Sequence, residues 1–349
     1  MPSRKLIPRL SAIACLVLLL PGFWPSPVMA SKEAGDEAFK AKNYVTAFLE
    51  LLPAAQGGDR RSQFRVGWMY LHGKGTTRDA AKARLWLTKS AEQKYHRAAA
   101  LLGDIYVTGK GRGVKADPVQ GAKWLKIAAD QGNSGAMYKL GDLYLEGKGV
   151  AKNEAQAAAW YRRSAEKGNA AGAQRLGYSY RRGIGVPKND AEAVKWFTVA
   201  ADKGNENGQY YLARMYLKGR GVPRDLAKAT ALFESAAEDG HRSAQVRLGE
   251  IYSGDDGAPT NYPKALAWFQ KAEAEGSKTA AYRIAMMYRD GLGVTQDYGT
   301  ALEQFRKLAD RGHKDSMLAL SEMYAKGLGV KKNAAEAKRW SQLAAKDGA

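Results

Sequence analysis

The feature that constrains this chain most is a repeat. A small residue, preceded by an aliphatic one and followed three places later by tyrosine, recurs at Gly67, Gly103, Gly141, Gly177, Ala213, Gly249, Ala285 and Ser321. The interval is 36 residues throughout, except for one of 38 that contains the segment Gly109 to Gly113. A period of this length marks a stacked array, in which each unit buries its apolar face only against its neighbours. The length of 349 residues, which alone suggests two domains, is therefore read as one elongated array.

The columns of the repeat predict its elements. Taking the small residue as position 0, the aliphatic column at −1 is Val66, Leu102, Leu140, Leu176, Leu212, Leu248, Ile284 and Leu320. Position −5 is small again (Ser62, Ala98, Ala136, Gly172, Gly208, Ala244, Ala280, Ser316), and +3 is tyrosine from Tyr70 to Tyr324. Spacing by four puts these three columns on one face of a helix, here called A. A glycine loop such as Gly147-Lys-Gly149-Val150 then turns the chain. Asp79, Asp117, Asn153, Asn189, Asp225, Asn261, Asp297 and Asn333 read as N-caps of a second helix, B. B carries Trp86, Trp124, Trp160, Trp196, Trp268 and Trp340 in one column, expected as core plugs; Leu232 stands in for tryptophan in the fifth unit, and the seventh is expected to shift its aromatic by one, to Phe305. Gly132, Gly168, Gly204, Gly240, Gly276, Gly312 and Gly348 end helix B.

The run Leu140-Gly141-x-x-Tyr144-x-x-Gly147-x-Gly149-Val150, with Trp160, Ala165 and Gly168 after it, resembles the Sel-one-like repeat, a relative of the tetratricopeptide repeat. The resemblance covers residues 61–349 in eight units. It implies an all-α, right-handed α/α solenoid of helix-turn-helix repeats. Residues 31–60 read as a degenerate N-terminal helix pair that caps the array.

Residues 1–30 stand apart. Arg4, Lys5 and Arg9 precede the apolar run Leu10 to Leu20, and Val28-Met29-Ala30 suits cleavage. This is the pattern of an export signal, with an uncleaved anchor as the alternative. The expected location is the periplasm, with secretion or membrane anchoring as the other outcomes. The only cysteine, Cys15, lies in this segment, so no disulfide framework or cysteine-ligated zinc site is expected in the mature chain. Without Arg4, Lys5 and Arg9 the formal charge of +20 becomes +17.

No catalytic set, metal site or cofactor motif emerges. Ser164-Ala-Glu-Lys167 matches an SxxK motif, yet its column reads Ser90-Ala-Glu-Gln93 and Ala200-Ala-Asp-Lys203 elsewhere, and no SDN or KTG accompanies it. The resemblance raises β-lactamase activity, described for cysteine-rich relatives, but this chain lacks their paired cysteines. The Gly-x-Gly loops lack the context of a P-loop. His241 and His313 share a column with Asn133, Asn169, Asn205 and Ser277, the expected N-caps of helix A.

Two surfaces are candidates for binding. On the face of helix A opposite its core columns lie Phe64, Trp68, Tyr138, Asp142, Tyr178, Arg181, Tyr210, Arg214, Tyr282 and Arg289, which the resemblance places in a concave groove. Either they form an adhesive groove or they pack along adjacent A helices. The A–B loops are basic: Lys110, Arg112, Lys148, Arg182, Lys188, Lys218, Arg220 and Arg224 would stack into a ridge, broken in the sixth loop by Asp255 and Asp256. That ridge is either an anion-binding edge or a solvated surface. The function expected is a monomeric, non-enzymatic scaffold that holds a partner protein or peptide in the groove. By resemblance it would act in envelope assembly or in exopolysaccharide export or its regulation. The alternative is a binder of an anionic envelope polymer, whether peptidoglycan, lipopolysaccharide or uronate polysaccharide. Nucleic acid is not an expected partner, because export separates the chain from it.

Overall fold

The computed structural model describes residues 31–109 and 115–346, so the expected export signal at residues 1–30 lies outside the described residues. Among the described residues the chain forms eighteen α-helices and no strand. The first pair is α1 (Lys32–Lys40) and α2 (Tyr44–Gln56). Eight pairs follow: α3 (Arg60–His72) with α4 (Ala80–Glu92), α5 (His96–Thr108) with α6 (Pro118–Asp130), α7 (Ser134–Glu146) with α8 (Glu154–Glu166), and α9 (Ala170–Arg182) with α10 (Asp190–Ala201). Then come α11 (Glu206–Lys218) with α12 (Leu226–Glu238), α13 (Arg242–Tyr252) with α14 (Tyr262–Ala274), α15 (Lys278–Asp290) with α16 (Tyr298–Ala309), and α17 (Lys314–Lys326) with α18 (Ala334–Lys346). Odd-numbered helices from α3 onward are the A helices and even-numbered ones the B helices. Each helix packs on the one before and the one after, which makes an α/α solenoid.

The caps set the helix boundaries. The side chains of Asp79, Asn189 and Asn333 accept the N–H of Lys82, Glu192 and Glu336 at 2.9, 3.0 and 3.1 Å, satisfying donors that the first turn leaves open. The other five expected B-helix caps do the same. Each cap's own N–H donates to the carbonyl of the tyrosine at +3, as in Asp79 to Tyr70 at 3.0 Å and Asn333 to Tyr324 at 2.9 Å. This bond closes the A–B loop in all eight units.

The columns interlock between helices. The small residue at 0 faces the most buried side chain of its own B helix: a Cβ on Gly141 would lie 2.5 Å from the Tyr161 ring, and one on Gly177 2.7 Å from Phe197. Gly67 meets Leu87, Gly103 meets Leu125 and Gly249 meets Phe269 in the same way. The small residue at −5 faces the preceding B helix, as Gly208 does toward Ala200. The plug is therefore the residue after the tryptophan column. Leu87, Leu125, Tyr161, Phe197, Phe233, Phe269 and Phe305 are all at most 1% exposed. Phe305 is not shifted; it stands in register with Phe197, Phe233 and Phe269. Trp160, Trp196 and Trp340 are buried at its edge, while Trp86, Trp124 and Trp268 are only half-buried. Several tryptophans are roofed by cations, with Lys89 4.9 Å over Trp86, Arg163 4.2 Å over Trp160 and Lys271 4.0 Å over Trp268.

Successive A helices also meet one another, α7 with α9, α9 with α11 and α13 with α15, whereas no pair of B helices makes a comparable contact among the described residues. The A side is thus the shorter, concave side of the array.

Loop glycines bring the units together. Gly185 has φ +69°, and a Cβ there would overlap the carbonyl oxygen of Glu154 at the start of the preceding B helix; Gly240 has φ +89° and open space around it. Gly240→Ala therefore carries only the left-handed penalty of about 1–2 kcal/mol. Gly185→Ala adds an overpacking cost of about 1–3 kcal/mol. Urea unfolding of the two variants should show the larger loss for Gly185→Ala; equal losses would mean that the inter-unit contact is slack.

Candidate interaction surface

The ten groove candidates sit on A helices and all are at least partly solvent-exposed: Phe64 and Trp68 on α3, Tyr138 and Asp142 on α7, Tyr178 and Arg181 on α9, Tyr210 and Arg214 on α11, Tyr282 and Arg289 on α15. Tyr178 packs along the adjacent A helix, on Tyr211 of α11, whereas Tyr138, Tyr210 and Tyr282 rest on a B helix. One edge rests on the plug of the same unit, with ring centroids 6.3 Å apart for Tyr138 and Tyr161, 5.7 Å for Tyr210 and Phe233, and 5.7 Å for Tyr282 and Phe305. All three rings keep part of their surface exposed.

The expected caps reach the same tyrosines. His241 stacks on Tyr210 at 4.4 Å and His313 packs on Tyr282 at 5.3 Å, as Tyr95 does on Phe64 at 5.3 Å. His241 Nδ1 accepts the N–H of Ala244 at 3.1 Å, and His313 Nδ1 accepts that of Ser316 at 3.2 Å, which requires neutral rings. Burial lowers the pKa of both histidines, against a smaller opposing pull from Glu206 and Asp315 respectively.

Between the tyrosines runs a charge ladder whose cations the column-by-column reading missed. Residue −2 of one unit reaches residue +1 of the unit before it. Arg175 meets Asp142 at 3.3 Å, Arg283 meets Glu250 at 3.2 Å, and Lys139 pairs with Asp104. Arg65 pairs with Asp36 of α1 in the same way. Arg289 at +4 reaches Glu322 at +1 of the next unit, 3.4 Å away. Asp142 also accepts the Tyr161 hydroxyl at 2.6 Å; burial first, and then this carboxylate, push that phenol well above its ordinary pKa. The signal was available as a cation 33–35 residues after Asp104, Asp142 and Glu250.

One stretch lacks its acids. Tyr178 faces Tyr211 at 5.7 Å, with the Arg181 guanidinium 5.0 Å from each ring centroid. Arg214 lies 5.6 Å over Tyr210. Neither arginine has a carboxylate partner among the described residues. Burial and then the nearby Arg214 lower the pKa of Arg181. Two cavities flank Tyr210, of about 400 and 380 Å³, sharing Arg247 in their walls.

In the ridge, Lys148, Arg182, Lys188 and Arg220 are exposed and carry no carboxylate among the described residues. Lys218 pairs with Asp256 at 2.9 Å, and Arg224 donates to the carbonyls of Leu217 and Asp256. Lys110 and Arg112 lie outside the described residues. The sixth loop is different because α13 ends two residues early, at Tyr252, and a short 3₁₀ turn at Asp255–Gly257 follows. That turn aims Asp256 at Lys218 and Arg247, and Asp255 at Arg283.

Ser164 is fully buried, and its hydroxyl donates to the Ser134 carbonyl at 2.7 Å, as Ser90 donates to Arg60 at 2.6 Å. It closes a unit internally and presents no nucleophile. Among the described residues no group of His, Cys, Asp or Glu is placed to hold a metal ion.

The model of the Sel1 repeat family matches residues 60–95, 96–133, 134–169, 170–205, 207–241, 242–277, 278–313 and 314–348. Among solved structures, a protective antigen present in uropathogenic Escherichia coli strains, displaying an SLR fold, is 32% identical; the match covers 91% of this chain and 76% of that one, with a TM-score of 0.70. A Sel1 repeat protein from Oxalobacter formigenes is 35% identical over 68% of this chain and 94% of its own, with a TM-score of 0.62. No curated protein matches the chain.

The histidine caps give the fold a pH dependence. Because the folded-state pKa of His241 and His313 is lowered, their contribution to stability is complete above the ordinary histidine value of about 6.5 and is lost as pH falls from there toward the folded value. Urea unfolding at pH 7.5 and pH 5 should show that His241→Asn, which supplies a cap that does not titrate, reduces the stability lost on acidification. An unchanged pH slope would place the titration elsewhere.

Proposed function

The chain belongs to the Sel1 repeat family, whose repeats serve as scaffolds for protein interactions, and we propose that it is a monomeric, non-enzymatic exported adaptor that holds a segment of a partner protein along its A-helix groove. The observation that carries this reading is the row of part-exposed tyrosines, each with one edge fixed on a core ring, and the cavities beside Tyr138 and Tyr210. Such rings are rigid before binding, so contact with them loses little side-chain entropy. The ion-pair ladder supports the same reading: half-exposed pairs contribute only about 0.2–1 kcal/mol each, so its ordered charges serve recognition better than stability. The charge pattern of residues 1–30 supports a periplasmic location, and the family resemblance supports a role in envelope assembly or exopolysaccharide export.

A photoreactive phenylalanine analogue at Tyr210 tests this in intact cells, with the same analogue at Lys195 on α10 as the control. A discrete adduct from position 210 alone is expected; adducts only from position 195, or none from either, would overturn the groove as the working surface.

A second reading is favoured by the unpaired Lys148, Arg182, Lys188 and Arg220, which suit an anionic envelope polymer. Reversal of Arg182, Lys188 and Arg220 to Glu should then abolish sedimentation with polyuronate or peptidoglycan, and binding should weaken steeply with salt. Sedimentation unchanged by the reversal removes this reading.

A further inference from the structure

We infer that the concave face at Tyr178, Arg181, Tyr210 and Arg214 binds an acidic side chain of an extended segment from the partner protein. This rests on the reading of the groove as the partner-binding surface and names the chemistry of what it takes.

Two equivalent positions in the molecule differ in what answers them. Arg181 and Arg289 occupy the same position of their repeats, four residues after Gly177 and Ala285. Arg289 meets Glu322 of the next unit at 3.4 Å. The residue equivalent to Glu322 in the unit after Arg181 is Arg214, so two cations stand where the other site has a pair. The neighbouring rung repeats the pattern. Glu250 at +1 receives Arg283 from the following unit, whereas Arg214 at +1 is followed by Arg247. Arg247 is answered by Glu250 and Asp256. Arg181 and Arg214 are answered by no carboxylate among the described residues, and the Arg181 Nε is buried without a hydrogen-bond partner.

A carboxylate brought from outside supplies what the ladder supplies elsewhere. It would accept from both guanidinium groups while the rings of Tyr178, Tyr210 and Tyr211 exclude water beside it. The two cavities either side of Tyr210 continue the trough toward α13 and α15, which suits successive side chains of an extended chain.

The test uses the full chain and two fluorescein-labelled decapeptides, one with alternating Glu and Tyr and one with Gln in place of Glu. Fluorescence anisotropy at low salt should give at least tenfold tighter binding for the Glu peptide. Arg214→Glu should abolish that preference. It should also raise the melting temperature, because it supplies the missing carboxylate within the chain. Lys195→Glu, on the outer helix α10, should leave the preference intact. No preference for Glu, a preference that survives Arg214→Glu, or a lower melting temperature for that variant would each overturn the proposal. So would tighter binding of an oligouronate with the same dependence on Arg214, which would assign the site to a polysaccharide. An adduct at position 210 in cells that persists in the Arg214→Glu background would retain the groove and reject the acidic ligand.

Discussion

The structure depends on how close helix A can come to helix B. The column from Gly67 to Ser321 leaves no room for more than a methyl or hydroxymethyl group, because the space is taken by Leu87, Leu125, Tyr161, Phe197, Phe233, Phe269 or Phe305. A glycine under an aromatic ring trades helix propensity, about 1 kcal/mol, for an approach that lets a ring be wholly buried between two helices. The second small column, at −5, repeats this contact against the preceding unit, as with Gly172 under Ser164 and Gly208 under Ala200. With both distances fixed, every further unit is added in one way. In the eighth unit the plug position is Ser341 and position 0 is Ser321, whose hydroxyl donates to the Ala337 carbonyl at 2.7 Å: a polar bond replaces the ring at the end of the array.

This geometry explains why the fold was legible in the sequence and why the plug was not. Small residues, tyrosines and caps recur because each is forced by a contact that recurs, so a single chain supplies eight readings of it. Tryptophan was the natural choice for the plug by size. One residue's rotation about helix B, 100°, separates it from the true plug and moves it to the rim, where Lys89, Arg163 and Lys271 cover its outer face. The distinguishing signal was the small residue opposite: the residue facing it is apolar in the first seven units, and Gln304 beside Phe305 shows that the tryptophan column is not so restricted.

The surface was legible only in part, for a related reason. The tyrosines follow from the helix wheel, but the ladder pairs a column of one unit with a different column of the previous one. Asp142 and Arg175, or Glu250 and Arg283, mean little until two A helices lie side by side. Asp255 and Asp256 read in sequence as a gap in a basic ridge. In the folded chain they turn back toward the groove and bind Lys218, Arg247 and Arg283. The same loop thus takes positive charge away from the edge and fixes it on the concave side.

That sixth loop has a mechanical consequence. Its two carboxylates fasten side chains from three successive A helices, α11, α13 and α15, at a single point. Between α9 and α11 the corresponding place holds two mutually repelling cations. A solenoid is a spring, and this one has a clamp set across three of its coils. Coils tied at one point move together, so bending and twisting strain passes to the turns on either side of them.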